Sequence, residues 1–165
     1  MKNVIRKLSV LFMTVILAVS FFGCSLFKEK TFTKEGMSIT LTGQFVEKEY
    51  VTQTVCYVSS KMVVTALKEE FTMLAGLEGW SLTEYASRTI ASNKLSCGSY
   101  AAKGYVYFVF EKEVSGKDYT YYAACYKSTD AFWLIQFGCE TKNYEDLLDT
   151  MIKYAETVTF ETAAE

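Results

Sequence analysis

Three consecutive strand-like segments, separated by short turns, constrain the fold of this chain more than any other feature. They read "YVYFVFEKEV", "KDYTYYAACYK" and "AFWLIQFGCE", and they lie within residues 105–140. All three are rich in aromatic and β-branched residues, which fit a pleated sheet. Ser115-Gly116 is typical of a tight hairpin turn, and residues 127–131 join the second segment to the third. The pattern predicts a three-stranded antiparallel meander.

Both faces of this predicted meander are apolar. With the two turns as centres, one face collects Val106, Phe108, Phe110, Tyr121, Ala123, Cys125, Trp133, Ile135 and Phe137. The other face collects Tyr105, Tyr107, Val109, Tyr122, Ala124, Tyr126, Phe132 and Leu134. An antiparallel sheet with one side in water needs only one apolar face. We therefore expect both sides of the sheet to be covered.

Two amphipathic helices are predicted to cover the sheet. The first begins after Ser81, which caps it with Glu84 as capping-box partner, and it ends near Asn93. The second runs from Tyr144 to Ala155 with Asn143 as its cap. In both segments the apolar residues recur at helical spacing.

Shorter strands complete the predicted domain. A hairpin begins near Thr31 and turns at Glu35-Gly36, two more strands follow within residues 55–60 and 62–71, and a last one ends at Phe160. The sequence thus predicts an α+β fold: a single α/β/α sandwich whose central antiparallel sheet carries a helix on each face. The domain is expected to span residues 31–160, with a frayed tail over 161–165.

The first 23 residues have the layout of an export signal. A short basic region is followed by an apolar run over residues 8–22, which is short for a membrane-spanning helix. The run ends in Gly23-Cys24, which resembles the lipobox of bacterial lipoproteins, although Phe21 stands where that family usually has Leu. An uncut signal anchor, or an ordinary signal cut nearby, is the alternative.

The lipoprotein resemblance implies how the chain is processed and where it resides. A signal peptide over residues 1–23 would be cut between Gly23 and Cys24, and the Cys24 thiol would carry the lipid, detectable with labelled palmitate. Residues 24–30 would form a tether that holds the domain at the extracytoplasmic side of the cell membrane. Two or three acyl chains give a lasting anchor, whereas one chain binds reversibly.

Composition excludes several classes of function. The chain has no histidine, which removes Ser-His-Asp and Cys-His catalysis and mixed His/Cys zinc sites. No phosphate-binding glycine loop or calcium loop is present, so we expect no metal, no cofactor and no enzymatic activity. The predicted signal holds three of the 17 basic residues and none of the 19 acidic ones. The remaining chain, at a formal charge of −5, lacks the basic footprint of a nucleic-acid-binding protein.

The four cysteines beyond Cys24 are not arranged as a redox or zinc motif. They are Cys56, Cys97, Cys125 and Cys139, and no two form a CxxC pair. Two disulfides are allowed by the count, but a domain of this size can bury enough core without them. The predicted register places Cys125 opposite Trp133 and about 20 Å from Cys139, too far for a disulfide. We expect mostly buried thiols.

At the level of element order, the chain resembles the PsbP-like family. The resemblance rests on "GMSITLTGQF", the hairpin "YTYYAACYKSTDAFWLIQFGCE", the helix "NYEDLLDTMIKYA" and the closing "TVTF", which together cover most of residues 31–160. It implies a non-catalytic domain that binds other proteins or steadies a membrane complex. Separately, we expect the domain to be a monomer whose partner is an unknown envelope protein. It carries no binding residue over to this chain.

Two other functions remain open at this stage. A small-ligand receptor would use the tyrosine-rich face of Tyr105, Tyr107, Tyr122 and Tyr126, because tyrosine offers apolar area with a polar tip. The same residues also suit a core beneath a helix. A lytic enzyme would use the carboxylates of Glu111, Glu113 and Asp118 near the 114–117 turn, which equally suit a soluble hairpin tip.

Overall fold

A computed structural model describes residues 28–49, 53–73 and 76–161. The predicted signal peptide, the predicted cleavage and lipid site at Gly23 and Cys24, most of the tether and the tail from residue 162 lie outside the described residues. No helix in the described part is long and apolar enough to cross a membrane.

A seven-stranded antiparallel sheet forms the centre of the fold. Its strands are β3 (Val46–Glu47), β4 (Val55–Val58), β5 (Val63–Glu70), β6 (Tyr100–Ala101), β7 (Val106–Val114), β8 (Lys117–Lys127) and β9 (Ala131–Glu140). They lie in the order β3-β4-β5-β9-β8-β7-β6. The predicted meander is confirmed as its central part.

A second, three-stranded antiparallel sheet is built from the two ends of the domain. It contains β1 (Glu29–Lys34), β2 (Met37–Thr42) and β10 (Thr159–Phe160), in the order β1-β2-β10. The turn between β1 and β2 is at Glu35 and Gly36, as predicted, and both have positive φ angles. The first strand begins two residues before the predicted start of the domain.

Two helices pack on the large sheet. In α1 (Leu82–Ser92), the Ser81 hydroxyl accepts from the Glu84 backbone N–H while the Glu84 carboxylate accepts from the Ser81 N–H, so the predicted capping box is confirmed. A single 3-10 turn, Thr141–Asn143, precedes α2 (Tyr144–Glu156). Asn143 makes no side-chain capping bond, so its predicted capping role is wrong. The turn places Asn143 itself in a helical backbone conformation, whereas a capping residue is typically extended.

The two faces of the large sheet are covered differently. Helix α1 packs on one face, which we call the α1 face, over Val106, Ala123 and Cys125. On the other face, α2 and the small sheet together enclose the larger cluster, which includes Met37, Ile39 and Met151. The predicted α+β class and the helix on each face are confirmed. The single three-layer sandwich is wrong, because a second sheet shares one face with α2.

Strand β9 is shifted by one residue from its predicted register. Cys125 lies opposite Leu134 rather than Trp133, because the connecting loop is centred between Thr129 and Asp130. Ala131 closes that loop: its carbonyl accepts from the Ser128 N–H at 2.9 Å and its N–H donates to the Ser128 hydroxyl at 3.1 Å. A shift of one residue exchanges the faces of a strand.

The exchange reverses the predicted side of every residue of β9. Trp133, Ile135 and Phe137 share the α2 face with Tyr122 and Tyr126. Phe132 and Leu134 lie instead on the α1 face.

Candidate binding groove

Helix α1 covers only part of its face of the sheet. Tyr85 stacks on Phe132 with ring centroids 4.3 Å apart, and its hydroxyl donates to the Glu69 carboxylate. Beyond the last turn of α1, strands β7 and β8 continue towards their hairpin at Ser115-Gly116. That continuation leaves an open stretch of sheet beside the helix end.

A groove of about 400 Å³ occupies this open stretch. Side chains from the end of α1 and the chain after it form one wall, and β7, β8 and β9 form the floor. The lining residues are Thr89, Asn93, Leu95, Phe108, Phe110, Glu111, Lys112, Val114, Tyr121 and Gln136. The groove therefore combines an apolar centre with amide, hydroxyl and charged groups around it, the composition typical of binding sites.

Aromatic rings lie along the floor of the groove. Phe110 and Tyr121 form a cross-strand pair with nearly parallel rings, 9° apart, and centroids 5.0 Å apart. Phe108 also stacks on Phe110, with ring centroids 5.9 Å apart. The pairing holds the rings in a fixed arrangement, since each side chain is half-buried or buried by its neighbours.

Gly138 makes room for the Tyr121 ring. A Cβ at Gly138 would lie 2.6 Å from Cε1 of Tyr121, closer than side chains can approach. The ring therefore lies across the backbone of β9, where any other residue would lift it. Glycine within a strand commonly marks such a close approach.

An ion-pair cluster lies beyond the aromatic floor, on the same face. Glu140 accepts from Lys117 and pairs with Lys142, each at 2.7 Å. Lys117, and then Lys142, lower the pKa of the Glu140 carboxyl from its ordinary value to about 2. The carboxylate thus stays charged and paired across the physiological range, unlike a general acid or base.

The four tyrosines predicted as a ligand site lie on the opposite side of the sheet from the groove. Tyr105, Tyr122 and Tyr126 are buried, and Tyr107 is half-buried against Tyr122, with centroids 4.8 Å apart. The Tyr105 and Tyr122 hydroxyls are 3.1 Å apart, and the Tyr126 hydroxyl donates to the Ala155 carbonyl. These contacts correspond to the core interpretation of the four residues.

The three predicted carboxylates do not converge on a pocket. Glu113 lies opposite Asp118 next to the hairpin turn. Glu111 precedes Glu113 by two residues in β7 and therefore lies further from the turn. All three are exposed, and only Glu111 lines the groove. Within residues 28–49, 53–73 and 76–161, no three acidic or cysteine residues are grouped as metal ligands.

The four cysteines within the described residues, Cys56, Cys97, Cys125 and Cys139, are free thiols. Cys125 is buried beneath α1, and burial raises its pKa to about 12, which keeps the thiol protonated and unreactive. Cys139 lies in the cluster on the other face. The register puts Cys139 opposite Thr120, five strand residues from Cys125, so the two cannot form a disulfide.

Sequence reasoning missed the groove because the register of β9 decides its floor. With the predicted register, Gln136 and Gly138 would lie on the other face, away from Tyr121. A signal was nevertheless present. Gly138 interrupts an otherwise aromatic and branched strand, which indicates that another group approaches the backbone there.

Comparison with known proteins bears on the fold alone. No protein-family model matches the chain, and no curated protein matches it. The solution structure of cyanobacterial PsbP (CyanoP) from Synechocystis sp. PCC 6803 is similar, with a TM-score of 0.53 over 81% of this chain and 92% of that one. The fold is PsbP-like. The identity is 9%, so the PsbP-like architecture is shared while the side chains are not.

A second solved structure has the same degree of similarity. It is a crystal structure of a protein from Bacteroides thetaiotaomicron, with a TM-score of 0.54 and 11% identity. The match covers 85% of this chain and 50% of the other, so the PsbP-like domain corresponds to half of that protein.

Proposed function

We propose that the protein is an extracytoplasmic bacterial lipoprotein, anchored to the membrane by a lipid on Cys24, whose PsbP-like domain binds another protein without catalysing a reaction. The observation that carries the binding role is the groove beside α1, where ordered aromatic side chains are left open at the surface. Aromatic residues in such positions are enriched in protein interfaces.

A non-catalytic role is supported by the chemistry of the side chains. Without histidine, acid–base work would fall to carboxylates, lysines or tyrosines. Glu111, Glu113 and Asp118 are exposed at a hairpin tip, and Glu140 is held charged by two lysines. The groove thus offers contact area and hydrogen bonds rather than a reactive pair.

A small-ligand receptor is the second candidate. The groove volume of about 400 Å³ lies within the range of small-molecule sites, about 300–1,000 Å³. In this alternative the ligand occupies the groove rather than the tyrosine-rich face, since three of those tyrosines are buried.

The anchor is tested by labelling bacterial cells that express the chain with radioactive palmitate. The wild type should be labelled, whereas Cys24→Ala should lose the label and keep residues 1–23, because lipoprotein cleavage follows modification of the cysteine. Cys97→Ala, a matched substitution within the domain, should keep the label. Label on the Cys24→Ala chain would contradict the anchor.

The binding role is tested by photo-crosslinking in intact cells. A photoreactive residue at Val114, in the groove, should give a discrete crosslinked protein, and Tyr121→Ala should weaken that product. The same residue at the exposed Asp149 on α2 serves as control and should not give it. Identical products from both positions would contradict protein binding at the groove.

A further inference from the structure

Within the described residues, strand β7 has a free edge along most of its length. On one side it pairs with β8 from Val106 to Val114. On the other side, β6 pairs only with Val106 and Tyr107. Among residues 28–49, 53–73 and 76–161, no other strand pairs with this edge. A free edge of this length is a template for a further strand.

The direction of the free backbone groups follows from one hydrogen bond. The Tyr105 carbonyl accepts from the Ala102 N–H on the β6 side, at 2.9 Å. Successive residues of a strand direct their backbone groups alternately to the two sides, so every second residue after Tyr105 also points to that side. Val109, Glu111 and Glu113 therefore present N–H and C=O groups to the free edge.

The groove opens along the same strand. Five of its lining residues belong to β7: Phe108, Phe110, Glu111, Lys112 and Val114. Because side chains alternate between the faces, a strand added at the edge would direct every second side chain to the α1 face, beside Phe110 and Lys112. The edge offers main-chain hydrogen bonds, and the groove offers a site for side chains.

The charges along the edge select what can pair with it. Antiparallel pairing with β7 of a second copy, centred on Glu111, Lys112 or Glu113, puts two like charges directly opposite each other, which is destabilising. Pairing centred on Phe110 would bring the second strand up to Tyr107, where β6 already occupies the edge. The edge thus disfavours self-association and favours a strand with the complementary charges.

We infer that the free edge of β7 accepts an extended segment of a partner protein, which adds a strand to the sheet. The segment carries basic residues opposite Glu111 and Glu113, an acidic residue opposite Lys112, and an apolar residue opposite Phe110 that reaches the groove. This mode of recognition takes affinity from the main chain and specificity from alternate side chains. It rests on the proposed protein-binding function and specifies how that binding occurs.

A synthetic peptide tests the strand addition. The probe is the capped hexapeptide Val-Lys-Glu-Lys-Ile-Thr, aligned antiparallel opposite residues 114 to 109 of the full chain, which is purified in detergent. In an NMR titration, the amide signals of Val109, Glu111 and Glu113 should shift most. Absence of binding, or shifts confined to other parts of the domain, would overturn the inference.

N-methylation of the peptide distinguishes strand pairing from occupation of the groove alone. Methylation of the two lysine nitrogens removes donors that face Glu111 and Glu113, and it should weaken binding at least tenfold. Methylation of the glutamate and isoleucine nitrogens, which point away from β7, serves as the matched control and should change the affinity less than threefold. Equal effects of the two modifications would overturn strand addition.

Charge reversal tests the register. The double variant Glu111→Lys, Glu113→Lys should weaken binding of the probe at least tenfold and favour the peptide Val-Glu-Glu-Glu-Ile-Thr, in which two glutamates replace the lysines and the central glutamate still lies opposite Lys112. Asp149→Lys, an equally exposed change on α2, should leave both affinities unchanged. A double variant with unchanged preference would overturn the proposed pairing.

The two proposals fail in different experiments. A groove-specific crosslink in cells, together with a peptide that tolerates every N-methylation, supports protein binding and overturns strand addition. Identical crosslinks from Val114 and Asp149 contradict the proposed function, whatever the peptide does.

Discussion

The two faces of the seven-stranded sheet differ in how completely they are covered. On the α2 face, Trp133, Ile135 and Phe137 are at most 1% exposed beneath α2 and the small sheet. On the α1 face, Phe110 and Tyr121, on neighbouring strands of the same sheet, remain half-buried beside a groove. The α2 face therefore belongs entirely to the core, whereas the α1 face is buried in one part and exposed in another.

Element lengths account for this difference. Helix α1 has 11 residues and is about 16 Å long at 1.5 Å per residue. Strand β7 has nine residues and is about 30 Å long at roughly 3.3 Å per residue. A single short helix cannot cover strands of that length, while a 13-residue helix with a second sheet beside it can cover the other face. The α2 face therefore contributes mainly to stability, and the α1 face provides the exposed surface on which we propose binding.

The largest effect is expected at Trp133, in the covered face. Trp133→Ala should lower the free energy of unfolding of residues 28–161 by about 3–5 kcal/mol, because the emptied space lies in a closed cluster. The indole N–H has no hydrogen-bond partner in the described part of the chain, so Trp133→Phe should cost clearly less. Urea denaturation measures both. An effect of Trp133→Ala below about 1 kcal/mol, typical of a surface site, would contradict the covered face.

A smaller effect is expected at Gly138, beneath the groove. Gly138→Ala should cost about 1–3 kcal/mol, because its Cβ would displace the Tyr121 ring. In a Tyr121→Ala background the same substitution should cost much less, since the obstructing ring is gone. Thermal unfolding of the four members of this cycle gives the coupling. Additive effects would show that Tyr121 does not lie across Gly138.

The two helix starts provide a third comparison between the faces. Ser81→Ala should destabilise the domain by about 1 kcal/mol, because it removes the hydroxyl that caps α1. Asn143→Ala is the matched control at α2, where no side-chain cap is formed, and should remain within about 0.5 kcal/mol. Equal losses of unfolding free energy from the two substitutions, in the same denaturation assay, would contradict the difference in capping between α1 and α2.

The smallest effect concerns the ion pairs at the far end of the open face. The pKa of Glu140 is lowered in the folded state, so its contribution to stability is present above the ordinary value of 4.5 and is lost as the pH falls towards about 2. Carboxyl NMR should find the depressed pKa, and Lys117→Met should raise it. Lys153→Met, which removes the partner of Glu29, should leave it unchanged. Salt should raise the Glu140 pKa, because the group is exposed.

Much of the fold can be predicted from the sequence because local chemistry decides it. The capping box at Ser81 and Glu84, the turn at Ser115-Gly116 and the hairpin at Glu35-Gly36 each involve residues close in the chain. Alternating and helical periodicities likewise identified the meander and both helices. The same local reasoning explains why Tyr105, Tyr122 and Tyr126 suited either a core or a ligand site, since periodicity assigns a face without showing what covers it.

The sequence by itself determined an α+β domain with an antiparallel meander, apolar on both faces and bounded by two helices. The tertiary structure decided which side of the sheet each residue of β9 occupies, since a loop centred half a residue away reverses Trp133 and Leu134. It also decided that α2 shares its face with β1, β2 and β10, whose residues are separated by most of the chain. How completely each face of the sheet is covered depends on which distant segments pack on it and on how long those segments are. Local periodicity in the sequence contains neither property.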